Sequence, residues 1–389
     1  MKDLAIQFPQ DLEEHLEKIK EMKEVVLANA VMCGEIPAPT FQESERIAFL
    51  KDRFIEAGLE HISVDEMDNV AAVLPGAASH DHQILLSANI DTVDYGSVDH
   101  SMMLGTDTIT GPGICDNSVG IGVLASIPLL LDRLGIQLQS DVILLGSSQS
   151  IGVGDLGGIR FFLDHYKKPI RAGVCMRGVQ IGRLSYASLG MLRGEIQISM
   201  PEEYDWKKLR ESSAIVVLNQ LITKIQAIPL PSSPVTSIVL GSVQGGNTFG
   251  TSATTARLRF EIRSEEEGRT TEIEKQLLEI VEEIAAESDA DTQLTVVARR
   301  DRGGISFSHP LVRSTRRILE MLEMDPVIAP STGELCALIE RNIPSVTVGL
   351  STGEHIHENN ETLRIAPLFK GIAQVLALLQ AMDGEENDG

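Results

Sequence analysis

Apolar residues first recur at helical spacing over 11–32, where Leu12, Leu16, Ile19, Met22, Val26 and Ala30 share one face. A second helix is expected over 42–57. Short strands are expected over 61–65 and 69–74, closed by the turn signal Pro75-Gly76. The pattern then alternates. Strands at 83–88, 141–146 and 172–176 are separated by helices at 117–134 and 155–166. Strands and helices in alternation imply a layered α/β sheet.

The texture changes near Gly190. Strand, helix, strand, strand, helix and strand follow at 191–200, 206–225, 236–240, 254–262, 265–286 and 293–298. That order is the ferredoxin-like split pattern. Afterwards the first texture resumes, with helices at 309–323, 334–341 and 366–381 and a strand at 344–349. The expected organisation is a discontinuous α/β domain over 1–188 and 305–389, with a smaller domain inserted at 189–304. No internal repeat is visible.

Composition narrows the class. With 389 residues, 43% hydrophobic and 23% charged, the chain reads as a two-domain globular protein. A net charge of −23 argues against a nucleic-acid partner or an anionic membrane surface. No apolar run is expected to reach membrane-spanning length; the best candidate, 120–131, contains Pro128. The opening residues lack a signal-peptide pattern, and the closing Gly-Glu-Glu-Asn-Asp-Gly reads as a disordered tail. Cys33, Cys115, Cys175 and Cys336 show no paired spacing, which suits a reducing, cytoplasmic compartment and argues against a cysteine zinc site.

Five stretches carry candidate chemistry. Ser-Ala-Asn-Ile-Asp-Thr-Val at 87–93 ends a strand and presents Asn89 and Asp91. Gly-Pro-Gly-Ile-Cys-Asp-Asn at 111–117 brings Asp116 to the start of a helix, where an aspartate also serves as an N-cap. Gly-Ser-Ser-Gln-Ser-Ile-Gly-Val-Gly-Asp-Leu at 146–156 places Gln149 and Ser150 after a strand, with no carboxylate anywhere in 142–154. Val-Cys-Met-Arg-Gly at 174–178 puts Arg177 in an apolar strand. Gly-Glu-His-Ile-His-Glu-Asn-Asn-Glu at 353–361 offers His355 and His357, expected on one side of a strand.

In order and spacing these stretches resemble the zinc-dependent aminoacylase and carboxypeptidase G superfamily. That group also contains acetylornithine deacetylase, succinyl-diaminopimelate desuccinylase and the tripeptide aminopeptidases. The resemblance covers nearly the whole chain. It implies a zinc-peptidase-like α/β/α catalytic-type domain with an inserted ferredoxin-like lid and dimerisation domain, hence a homodimer through the lid.

The same resemblance shows what has changed. The family has His-x-Asp-Thr where this chain has Asn89 and Asp91. Its Asp bridging two metals matches Asp116. Its general base and a neighbouring metal ligand, both glutamates, match Gln149 and Ser150. Its next carboxylate ligand matches Arg177, and its last ligand, a His with Glu four residues on, matches His357 and Glu361. Only Asp116 and His357 keep ligand chemistry. An arginine has no lone pair to offer and stays protonated. Its charge about 4 Å from a dication costs on the order of 8 kcal/mol at an effective dielectric of 20.

The lid of such enzymes often carries a histidine that reaches the partner subunit's site; this chain has none between His165 and His309. Arg263 matches a lid arginine that contacts substrate carboxylates in the family, and the glycine-rich 241–250 matches a lid loop.

The expectation is a metal-free protein on a hydrolase scaffold. It would bind a peptide or acyl-amino acid through Arg177, Arg263 and Asn89, or act as a structural partner. Two buried carboxylates left without metal require a compensating cation, so Arg177 is expected to pair with Asp116 or Asp91 through two-pronged hydrogen bonds. The alternative is an amide hydrolase with one rebuilt zinc or other divalent site. That site would use Asp116, His357 and His355 or Asp91, with Glu334 or Glu354 as base.

Overall fold

A computed structural model describes residues 12–78, 80–201 and 213–383. The opening segment, the closing acidic tail and the first part of the helix expected at 206–225 lie outside the described residues. The chain forms two compact units, Met1–Ser188 with Gly304–Gly389, and Leu189–Gly303.

The larger unit is built on an eight-stranded sheet. Its order is His61–Val64, Val70–Leu74, Val142–Ser147, Gln83–Asn89, Ile170–Val179, Ser345–Ser351, Arg183–Ser185 and Val327–Ile328. The four central strands run parallel, so their carboxyl ends share one rim. Strands buried on both faces need side chains that suit two cores. Ile84, Leu86, Val142, Leu144, Val174, Met176, Val346 and Val348 join the core beneath helices Lys23–Gly34, Val119–Leu134 and Ile365–Asp383. Leu85, Ile143, Leu145 and Cys175 face a smaller core under Gly157–His165 and Leu335–Glu340.

Several details differ from the sequence expectation. The helix expected over 11–32 is two helices, Leu12–Glu21 and Lys23–Gly34, because Met22 leaves the helical path. By length and hydropathy alone, Ile114–Leu134 and Ile365–Asp383 would suffice to cross a bilayer, contrary to that expectation. Both are mostly buried, at 94% and 78%, against the rest of the protein. All four cysteines are buried, and none forms a disulfide.

The smaller unit has a four-stranded antiparallel sheet, ordered Thr236–Gly245, Thr255–Ser264, Gly190–Ser199 and Asp291–Arg300. Thr255–Ser264 and Asp291–Arg300 alternate strictly, whereas Gly190–Ser199 and Thr236–Gly245 alternate only in part. Leu192, Ile196, Ile198, Leu258, Phe260 and Ile262 pack under helices Ala214–Gln226 and Arg269–Glu287. The other face carries a charge ladder: Glu195 pairs with Arg257 and Arg259, and Glu261 with Arg193 and Arg263. This is the ferredoxin-like arrangement that the element order predicts.

Candidate functional site

In open α/β sheets, ligand sites lie outside the carboxyl ends of the parallel strands. Here that rim gathers Asn89 and Asp91, Ser147 to Ile151, and Arg177, from three neighbouring strands. The turn at 114–117 packs over the rim because Gly178 lets it. A Cβ at Gly178 would lie 2.2 Å from the Cys115 carbonyl oxygen, so only glycine admits this approach. Asp116 thereby comes beside Arg177.

Asp116 is 5% exposed. Arg177 Nη2 lies 3.0 Å from one carboxylate oxygen and 3.1 Å from the other. His357 Nε2 lies 3.0 Å from Oδ2. The pairing with Asp116 is made, but by one guanidinium nitrogen spanning both oxygens rather than by the two-pronged fork. Burial pushes the Asp116 carboxyl up; Arg177 and His357 outweigh it and hold the carboxyl below its ordinary range. The same hydrogen bond holds His357 above the usual imidazole value. Asp116 is not a helix cap: the helix starts at Val119, with Ser118 preceding it.

Asp91 is fully buried and, among the described residues, meets no cation. Its Oδ2 accepts from the Thr40 hydroxyl and from the Ser150 and Ile151 amides, each at 2.8 Å. Burial pushes Asp91 up to about 6 despite these donors. Asn89 is spent on structure. Its Nδ2 donates to the Asp91 carbonyl at 2.9 Å, and its Oδ1 accepts from Asn117 at 3.2 Å.

Positions 149 and 150 behave differently from each other. The Gln149 amide donates to Glu43 at 2.9 Å and its side chain faces Met67 and Gly157. Ser150 turns its backbone N–H to Asp91, and its hydroxyl lies 3.4 Å from that of Ser147. Neither position presents a base.

Glu334, in contrast, is at the site. It is 7% exposed and hydrogen-bonds the buried Ser147 hydroxyl. Burial pushes it up to about 7; the Ser147 hydrogen bond opposes this, Asp91 adds to it, and Arg177 lowers it. Glu354 is not at the site: it is exposed and paired with Arg364 at 2.8 Å.

His355 and His357 are not on a strand. Both have positive φ, 59° and 69°, in the turn after Gly353–Glu354. Such a turn aims alternate residues apart, so His355 faces Glu358 at 3.5 Å and only His357 reaches Asp116. Glu361 anchors this turn. It accepts from Tyr95 Oη at 2.7 Å, the His357 amide at 2.7 Å and the Cys115 amide at 2.8 Å. Arg263 lies in the smaller unit, on Glu261.

Sequence reasoning placed Ser147 in a candidate stretch without a role, and did not pick out Thr40, Tyr95 or Arg183 as part of this neighbourhood. None has a local signal, because each arrives from a separate segment.

These residues do not fit a two-metal centre. Both oxygens of the would-be bridging carboxylate are engaged by a guanidinium. Asn89 offers an amide already bonded at both ends. Among the described residues, no three His, Cys, Asp or Glu side chains are placed to hold one metal ion.

Comparison with known proteins agrees with this reading of the fold. Residues 207–289 match the family model described as a peptidase dimerisation domain. The Saccharomyces cerevisiae di-peptidase Dug1p superposes with a TM-score of 0.78 at 12% identity, covering 97% of this chain and 99% of its own. A Staphylococcus aureus tripeptidase gives 0.76 at 17% identity, covering 94% and 99%. The Bacillus subtilis YXEP protein, a dinuclear metal binding peptidase from the M20 family, gives 0.65 at 17% identity, covering 93% and 98%. No curated protein sequence matches the chain. The chain thus has the M20 metallopeptidase fold: an α/β catalytic-type domain interrupted by a peptidase dimerisation domain.

Proposed function

We propose that this chain is a metal-free protein on the M20 scaffold, which binds a peptide or acyl-amino acid without hydrolysing it. One observation carries the reading: Arg177 Nη2 lies within 3.1 Å of both oxygens of Asp116. Asp116 is the position matching the carboxylate that bridges two metals in the family this chain resembles. A fixed cation there supplies the charge that two buried carboxylates lack. It also raises the cost of admitting a dication.

The smaller unit supports self-association through its dimerisation-domain fold. Four buried cysteines, none of them in a disulfide, fit the cytoplasm. The rival reading is a single-metal amide hydrolase. It draws on Asp116 with His357 as ligands and on Glu334 as a base poised near neutral pH.

Elemental analysis of protein dialysed with zinc, cobalt or manganese separates the readings. The expected result is no stoichiometric metal. One tightly held ion per chain favours the rebuilt hydrolase, and two would overturn the role given to Arg177.

A further inference from the structure

Arg183 is an arginine without an anion. Its Nε donates to Ser185 Oγ at 2.9 Å, its Nη2 to the Pro330 carbonyl at 3.1 Å, and its Nη1 to the Gln180 side chain. All three acceptors are neutral. No carboxylate lies within ion-pair reach of it among the described residues. A half-buried guanidinium is ordinarily held by a carboxylate, because desolvating a lone charge is costly.

Strand register places this group level with Arg177. Arg177 pairs across to Gly349, and Leu184 pairs across to Val348 on the other side of the same strand. One residue further along that register, Arg183 stands level with Gly349. Leu184, Val348 and Met176 all enter the larger core. Their neighbours Arg183, Gly349 and Arg177 therefore share the opposite face. Adjacent strands are about 4.8 Å apart, so the two arginine backbones stand about 10 Å apart, with Gly349 between them and the Val179–Gln180 backbone lying over that glycine.

Both guanidiniums then reach the 330–334 segment. Arg183 takes the Pro330 carbonyl, and Arg177 Nη1 lies 3.5 Å from where a Cβ on Gly333 would be. Arg177 uses only Nη2 on Asp116. Its Nε and Nη1 make no hydrogen bond among the described residues, and its side chain is 34% exposed.

We propose that Arg177 and Arg183 form a two-guanidinium cradle, floored by the 330–334 segment, for the carboxylate of a small ligand. The inference rests on the reading of the chain as a metal-free binder and names the anchor that such a binder uses. Planar guanidinium donors match a carboxylate. Asp116 on Arg177, and Glu334 close enough to feel its charge, disfavour a dianion, so the cradle selects a monoanion over phosphate. Burial and the neighbouring Arg177 lower Arg183 to about 10, which leaves it charged at neutral pH. Arg183, and not Arg263, is then the partner of Arg177.

The test is thermal stabilisation of the full, chelator-treated chain by N-acetylglycine, N-acetylglycinamide and inorganic phosphate. N-acetylglycine should raise the melting temperature and the amide should not. Arg183→Gln should weaken the response by at least about tenfold, as expected for losing a charged hydrogen bond, and Arg183→Lys should restore part of it. The amide-to-acid contrast on the unaltered chain stands even if Arg183→Gln folds poorly.

Equal stabilisation by acid and amide would overturn the cradle, as would an Arg183→Gln chain binding like the original. Tighter binding of phosphate would overturn the monoanion assignment. A chain that holds no metal yet ignores all three compounds loses the cradle and keeps the metal-free reading. A chain that holds two metals loses the reading itself.

Discussion

Asp91 and Asp116 are both buried at the same rim, and the chain accommodates them in opposite ways. Asp91 is surrounded by neutral donors, the Thr40 hydroxyl and two backbone amides, and its carboxyl is pushed up to about 6. Asp116 is held by Arg177 and His357, and its carboxyl sits below the ordinary range. Hydrogen bonds alone only partly offset the cost of burying charge; a cation reverses it. One niche therefore tolerates a neutral group and the other demands a charged one.

The largest expected effect comes from breaking the charged niche. Arg177→Met leaves Asp116 buried with only His357 beside it. Loss of one partner of a fully buried pair costs about 3–5 kcal/mol, and the one-third exposure of Arg177 reduces this to about 2–3 kcal/mol. Urea denaturation of Arg177→Met, and of Arg177→Met with Asp116→Asn, checks it. The second substitution should recover part of the loss, and an unchanged midpoint in the single variant would remove the ion pair from the account.

The neutral niche should show itself in the pH profile. Asp91 and Glu334 bind protons more tightly folded than unfolded, with values raised to about 6 and about 7 from 3.8 and 4.5. Their contribution is fully present below the unfolded values and is lost as pH rises through the folded ones. Stability should therefore fall from about pH 4 to 7, with each such proton worth up to about 1.4 kcal/mol per pH unit. Asp116 has the opposite sign. Its contribution is present above its unfolded value of 3.8 and is lost as pH falls through the lower folded value. His357 contributes below its unfolded value of 6.5 and loses this as pH rises through its higher folded value. Glu334→Gln should flatten the fall between pH 4.5 and 7, the interval its own values span. A profile identical to that of the unaltered chain would show that Glu334 does not titrate there.

The smallest effect is expected for Asp91→Asn. The amide oxygen can accept from Thr40, Ser150 and Ile151, and only the contact at Asn89 Nδ2 becomes donor against donor. We expect a loss of about 1 kcal/mol at neutral pH, measured by the same denaturation. A loss matching that of Arg177→Met would erase the distinction between the niches.

Much of this was legible in the chain. An arginine inside Val-Cys-Met-Arg-Gly is anomalous in a buried parallel strand, and its need for a carboxylate follows from charge alone. The spacing of His355 and His357 misled, because a period of two has meaning only where the backbone is extended, and both residues have positive φ. Asp116 misled as a helix cap because a helix start was legible and the turn ahead of it was not. Glu334 gave a weaker signal, a lone carboxylate in Ser-Thr-Gly-Glu at 331–334, equal in sequence to Glu354, which proved exposed.

The sequence by itself determined the layers, the inserted ferredoxin-like unit and the presence of an arginine, an amide and a serine in the candidate stretches. These follow from local periodicity, element order and the chemistry of single residues. Only the tertiary structure decided that Arg177 takes Asp116 rather than Asp91, that Glu334 lies beside Ser147, and that Arg183 stands level with Arg177 across Gly349. Each of those depends on strand order and crossovers that bring together residues far apart in the chain. No local pattern encodes them, because sheet neighbours are selected by burial of the whole core.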